Sequence, residues 1–127
     1  MIARRWHGRV PNALAEEYLR LMRDVALPDY RGTPGNRGAW CLSRVEGEVT
    51  HVEMLTLWDD FDAIRRFAGE DAEVAKYYDF DDRFLLEKEP GVLHFEVAEY
   101  CWADSILPET SSGRIWEGLT RPVWMLS

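Results

Sequence analysis

Residues 48–69 constrain the fold more than any other stretch, because they read as a strand that runs directly into a helix. Val49, His51, Val52, Met54, Leu55, Leu57 and Trp58 form a β-prone apolar run. Asp59 is predicted as the helix N-cap, and Asp60 and Asp62 add negative charge to the first turn, where the helix dipole favours it. Phe61, Ile64, Phe67 and Ala68 fall on one helical face, and Gly69 suits the position just past the helix end. Trp58 stands at the joint. A large flat ring there can wall the gap between a sheet and its covering helix, so a pocket is expected at that gap.

The rest of the chain repeats the theme. Residues 2–9 read as a first strand, with Ile2, Arg4, Trp6 and Gly8 on one side and Ala3, Arg5, His7 and Arg9 on the other. Pro11 ends it and Asn12 is a candidate cap. Leu14, Tyr18, Leu21, Met22 and Val25 share a helical face, and Pro28 is expected to end that helix. Residues 29–38 (DYRGTPGNRG) are a Gly- and Pro-rich loop. Residues 39–45 form a second strand with Trp40 and Leu42 opposite Cys41, and Gly47 supplies the positive φ of a hairpin into the third strand. A short helical turn is expected within residues 70–76, a polar-aromatic loop at 77–83, and a turn or helical piece at 84–87. Residues 92–100 are the fourth strand, with Leu93, Phe95 and Val97 on one face and His94 and Glu96 on the other.

The order β-α-β-β-α-β is the split βαβ, or ferredoxin-like, arrangement: an α+β fold with a four-stranded antiparallel sheet, expected strand order 4-1-3-2, and both helices on one face. The other face would then expose apolar side chains such as Trp6 or Leu55, depending on register. The economical cover is a second copy packed sheet to sheet, a dimeric α+β barrel. Residues 101–127 form a C-terminal extension with three of the six tryptophans, Trp102, Trp116 and Trp124. So apolar a tail is expected to pack on the domain or on the partner subunit.

Composition narrows the function classes. The 127 residues suit one domain with a real core, and 46% apolar with 30% charged residues is globular rather than disordered. A net charge of -8 argues against non-specific nucleic-acid or anionic-membrane binding. No apolar run approaches the roughly 20 residues of a membrane span, and the N-terminus does not read as a signal peptide. A cytoplasmic protein with two free thiols, Cys41 and Cys101, is expected.

Four segments resemble the antibiotic-biosynthesis monooxygenase-like (ABM) superfamily: GNRGAW at 35–40, LWDDFDAIRRFAGED at 57–71, YYDFDDRFLLEKEPGV at 77–92 and HFEV at 94–97. The likeness covers residues 1–100 and is distributed rather than a sharp motif. It implies a homodimer with a pocket between sheet and helices in each subunit. Some members of that superfamily oxygenate polycyclic aromatic polyketides without metal or flavin, the substrate's own electrons activating oxygen. They carry a tryptophan at the joint before the second helix, as Trp58 stands here, and an asparagine earlier on that strand, where this chain has Met54. Haem-degrading members use an asparagine, a tryptophan and a histidine at positions that match Trp6 or His7, Phe67 and Tyr77 here, so that set is not present.

The implied function is a small enzyme acting on a hydrophobic, aromatic or polyketide-type metabolite by cofactor-independent oxygenation or a related rearrangement or cyclisation. Trp58, Met54, Phe61, Ile64 and Phe67 would shape its pocket, and His51, His94, Tyr77 or Tyr78 would move a proton. Asp81, Asp82 and Arg83 share the loop with the tyrosines and are expected chiefly as solvated charges, Arg83 pairing with an aspartate. Arg4, Arg5 and Arg9 are candidates for holding an anion. His7, His51-x-Glu53 and His94-x-Glu96 would need to converge across the sheet to bind a metal; none is expected, and no cofactor is. The alternative is a non-catalytic dimeric barrel that binds a small ligand or a protein partner.

Overall fold

The computed structural model describes residues 1–103. The expectations for Trp116 and Trp124, and for most of the 101–127 extension, lie outside the described residues. One compact unit runs Met1–Val97. It is an α+β fold with strands β1 (Ile2–Pro11), β2 (Asn36–Glu46), β3 (Val49–Trp58) and β4 (Leu93–Glu96), and helices α1 (Asn12–Leu21), α2 (Leu27–Arg31) and α3 (Phe61–Ala68). The sheet is antiparallel with order β2-β3-β1-β4, as the element pattern led one to expect.

Strict alternation builds the two sheet faces. Ile2, Arg4, Trp6 and Val10 of β1 and Thr50, Val52, Met54, Thr56 and Trp58 of β3 are buried on the face the helices cover. Against them pack Tyr18, Met22, Ala26 and Tyr30 from the first helical stretch and Ala63, Ile64 and Phe67 from α3. The opposite face is open. Across β2, β3, β1 and β4 it presents the row Trp40, Leu55, Arg5, Leu93, and beside it Leu57, Ala3 and Phe95. Trp6 therefore belongs to the core, and Leu55 to the open face.

Several local expectations are corrected. The first helix does not stop at Pro28. A π-helical segment, Met22–Ala26, joins α1 to α2, and the Leu27 N–H bonds to the Met22 carbonyl five residues back. Pro28 then falls in the first turn of α2, where its missing N–H is tolerated. The wider turn also shifts the helical phase: Val25 turns outward, 38% exposed, and Ala26 is buried in its place. Asn12 is the first residue of α1 rather than its cap. Its backbone N–H bonds to the Glu48 carbonyl and its side chain to Gly47 and Thr50, tying the helix start to the β2–β3 hairpin. Asp60, not Asp59, caps α3, accepting from the Ala63 N–H, while Asp59 pairs with Arg37.

The stretch expected as a helical turn at 70–76 forms one turn, closed from the Val74 N–H to the Asp71 carbonyl, and is otherwise irregular, with a bridge between Val74 and Gly91. A 3-10 turn forms at Asp79–Arg83, inside the expected loop. β4 is shorter than expected because β1, its neighbour among the described residues, runs out: Glu96 pairs with Ile2, and the Val97 N–H reaches the Met1 carbonyl. In the 29–38 loop, Gly35 has φ +94°, and a Cβ there would lie 2.4 Å from that of Ala63, so only glycine lets the chain pass this close to α3.

Candidate functional site

Trp58 sits where the sequence placed it, but in a filled interior. It is 0% exposed, and its indole N–H donates to Thr56 Oγ1 at 2.8 Å. The Tyr30 ring lies 6.2 Å away and the Phe67 ring 5.7 Å away, these two stacked on each other at 4.3 Å. Met54 and Ile64 are core residues as well. The expected gap beside Trp58 is thus occupied by rings. Phe61 stands apart from this cluster: it is partly exposed, with its ring edge-on to His94 at 5.1 Å.

A small cavity does lie under the helices, on the other side of Tyr30. About 10 Å³ in volume, it is lined by Trp6, Tyr18, Met22, Tyr30, Lys76, Tyr78 and Asp81. That is room for about one water molecule. Asp81 is 1% exposed; it accepts from the Tyr18 O–H at 2.7 Å and from the Tyr78 N–H at 2.6 Å. Burial pushes its carboxyl up, and pushes the Tyr18, Tyr30 and Tyr78 phenols up as well. Tyr78 O–H donates to Asp29 at 2.6 Å, and Lys76 Nζ reaches the same Asp29 oxygen at 2.8 Å while lying 4.2 Å above the Phe67 ring. Asp29 is partly desolvated, yet Lys76 and Tyr78 hold its carboxyl below the usual range.

The four proton-moving candidates fall in separate places. Tyr78 borders the cavity. Tyr77 donates its O–H to the Glu89 carbonyl, and burial pushes its phenol up to about 12. His94 lies on the covered face opposite Arg4. His51 lies on the open face, where its Nδ1 is 2.8 Å from His7 Nε2. Glu89 flanks His7 Nδ1 at 2.6 Å, and Glu46 flanks His51 Nε2 at 2.8 Å. The two imidazoles form a stacked pair between these carboxylates, ring centroids 5.1 Å apart. A groove of about 170 Å³ beside it is lined by Leu42, Ser43, Arg44, His51 and Glu53.

This placement prevents the three histidines from meeting. His7 and His51 sit on one face and His94 on the other, because His94 is in register with Arg4 rather than with Arg5. Glu53 binds Arg5 instead of a neighbouring histidine site. Among the described residues no group of three His, Cys, Asp or Glu side chains could hold a metal ion. Cys41 and Cys101 are both free; burial pushes the Cys41 thiol up to about 11. Arg83 pairs with neither Asp81 nor Asp82: Lys88 takes Asp82, and Asp81 is turned inward.

Two residues weigh more than the sequence suggested. Asp81 read as one more loop carboxylate, and no periodicity marks it as buried. Arg4 carried a signal, since it alternates with Ile2 and Trp6 on the covered side. It is 1% exposed, its Nη2 donates to the Val74 and Ala72 carbonyls at 2.9 and 3.4 Å, and its Nε has no partner. Trp6 Nε1 and His94 Nε2 on the same face are also buried without partners. No protein-family model matches the chain, and no curated protein matches it.

Proposed function

We propose that this chain is a small ABM-like enzyme that works in the cytoplasm as a homodimer of ferredoxin-like subunits. Two copies would pack their open sheet faces together into an α+β barrel. Each would hold a flat, hydrophobic, aromatic or polyketide-type metabolite between sheet and helices. The reaction would be cofactor-independent oxygenation or a related rearrangement or cyclisation, with electrons from the substrate itself activating oxygen.

The observation that carries this reading is the aromatic and polar lining of the covered face. Trp6, Tyr18, Tyr30 and Tyr78 offer ring faces for stacking, while Asp81 and Lys76 offer charge at the same small cavity. Trp58, Phe67, Met54 and Ile64 form the packed floor behind Tyr30. At about 10 Å³ the cavity admits no metabolite as it stands, so binding requires its cover to move. Met22 lines it and begins the π-helical segment, a kind of turn often found at functional sites. The irregular 70–78 stretch supplies Lys76 and Tyr78, and no regular ladder holds it. The open face supports the dimer: Trp40 is 41% exposed, and Leu42, Leu93 and Phe95 are similarly bare.

The filled interior favours the second reading, a dimeric barrel without catalysis. Tryptophan-fluorescence titration with hydroxylated anthracenes, paired with oxygen uptake, separates the two. One saturable site per subunit with protein-dependent oxygen uptake is the expected result. Saturable binding without uptake supports the non-catalytic barrel, and no binding at all rejects the aromatic-ligand reading.

A further inference from the structure

Register rules out a three-histidine centre, but it leaves a pair. On the open face His7 Nε2 of β1 lies 2.8 Å from His51 Nδ1 of β3. A carboxylate holds each ring from its far side: Glu89 Oε2 is 2.6 Å from His7 Nδ1, and Glu46 Oε1 is 2.8 Å from His51 Nε2. A hydrogen bond to a carboxylate is donated by the imidazole N–H. In a neutral imidazole the other nitrogen is then an acceptor. Two acceptors face each other across 2.8 Å, and such a contact calls for a cation that both can bind.

An imidazole fixed by a carboxylate at one nitrogen, with the other left to coordinate, is the arrangement that prepares histidine to ligate a metal. Here it occurs twice, and the two inner nitrogens converge. The paired charges around them favour a cation: four carboxylates, Glu46, Glu53, Glu87 and Glu89, stand against three guanidiniums, Arg5, Arg9 and Arg44. Arg9 and Arg44, in register with His51 on its two sides, are paired with Glu87 and Glu46.

The site is also within reach of solvent. The His7 and His51 side chains are 21% and 15% exposed, and His51 lines the groove of about 170 Å³. We propose that His7 and His51 bind a divalent transition-metal ion of the zinc class. No third side chain among the described residues completes the set, so water from the groove fills the remaining positions. Zinc holds imidazole nitrogens at about 2.0–2.1 Å, and a tetrahedral angle then sets two of them about 3.3 Å apart. The pair opens by about half an ångström to admit the ion, a small side-chain rotation. Imidazole ligands select zinc, copper or nickel over calcium or magnesium. The site lies on the sheet face opposite the cavity under the helices, so the inference does not rest on the aromatic-ligand reading.

The chain has three histidines, so each imidazole can be followed by NMR of the full chain. Zinc chloride added to chelator-treated protein should shift the His7 and His51 ring resonances and leave those of His94 in place. Calcium chloride should shift none of them. In calorimetric titration the unaltered protein should bind one zinc per chain, and His7→Ala and His51→Ala should each abolish binding. Glu46→Gln, altered at an exposed carboxylate that threatens the fold least, and Glu89→Gln should each weaken zinc about 10–100-fold. Zinc that moves neither resonance overturns the proposal, as does zinc that moves His94 equally or binds His7→Ala and His51→Ala undiminished. Affinity indifferent to both glutamine variants overturns it too, because the imidazoles would then hold an adventitious ion only. Every one of these results leaves the aromatic-ligand reading to its own test.

Discussion

The two faces of the one sheet treat charge in opposite ways. On the open face, where water could solvate an ion, charges are paired: Arg5 with Glu53 at 2.6 Å, Arg9 with Glu87 at 2.5 Å, His7 with Glu89 and His51 with Glu46. On the covered face, where an unpaired polar atom is expensive, Arg4, His94 and Trp6 each leave a nitrogen without a partner. Stability alone would produce the reverse arrangement. The unpartnered nitrogens gather on the covered face, and the open face keeps Trp40, Leu42, Leu93 and Phe95 exposed.

The largest effect expected on either face comes from Trp58→Ala. It removes a fully buried indole wedged against Tyr30 and Phe67, and should lower unfolding stability by about 3–5 kcal/mol. Urea denaturation at fixed protein concentration measures it. A loss under about 1 kcal/mol would mean that the ring lines a collapsible pocket rather than the core.

The pH response of His94 should come next. Its folded pKa is depressed, chiefly by burial, so the unfolded chain takes up the proton more readily. Its contribution is therefore present above the unfolded value, near 6.5, and is lost as pH falls through the lower folded value. Between pH 7 and 5 the unaltered protein should lose more stability than His94→Gln does. Parallel stability curves for the two would place His94 in contact with solvent and weaken the contrast between the faces.

The smallest effect belongs to the open face. A double-mutant cycle on Arg5 and Glu53, both partly exposed, should give a coupling under about 1 kcal/mol that salt weakens further. A larger, salt-insensitive coupling would show this pair desolvated, as it would be beneath a second subunit.

Most of this architecture could be read from alternation. Ile2, Arg4 and Trp6 share one side of β1, and Val52, Met54 and Trp58 one side of β3, by period two alone, and Gly47 marks the hairpin; which side of β1 is covered depended on register. What escaped had no local period to betray it. The π-helical segment at Met22–Ala26 looks like ordinary helix in the sequence, yet it rotates every later residue by one position and carries the helix past Pro28. Asp81 is buried by tertiary contact with Tyr18, 63 residues away. That His51 sides with Glu53, and His94 with Glu96, was legible, but the sheet face of each and its partners were not, because register and the course of the loops and strand ends that carry Glu46, Glu73 and Glu89 are not encoded by propensity. Trp58 was located correctly and its surroundings misjudged, since the Tyr30 ring that fills the gap arrives on the helical stretch beyond the expected stop.

Arg4→Met tests the contrast between the faces most directly. A buried cation without a carboxylate contributes little net stability, and an apolar side chain of similar length can replace it at no loss. The expected result in urea denaturation is a change within about 1 kcal/mol, or a gain. A loss of about 3 kcal/mol or more would contradict this. It would make Arg4 a structural clamp on the Ala72 and Val74 carbonyls and remove the reason to read a binding site on the covered face.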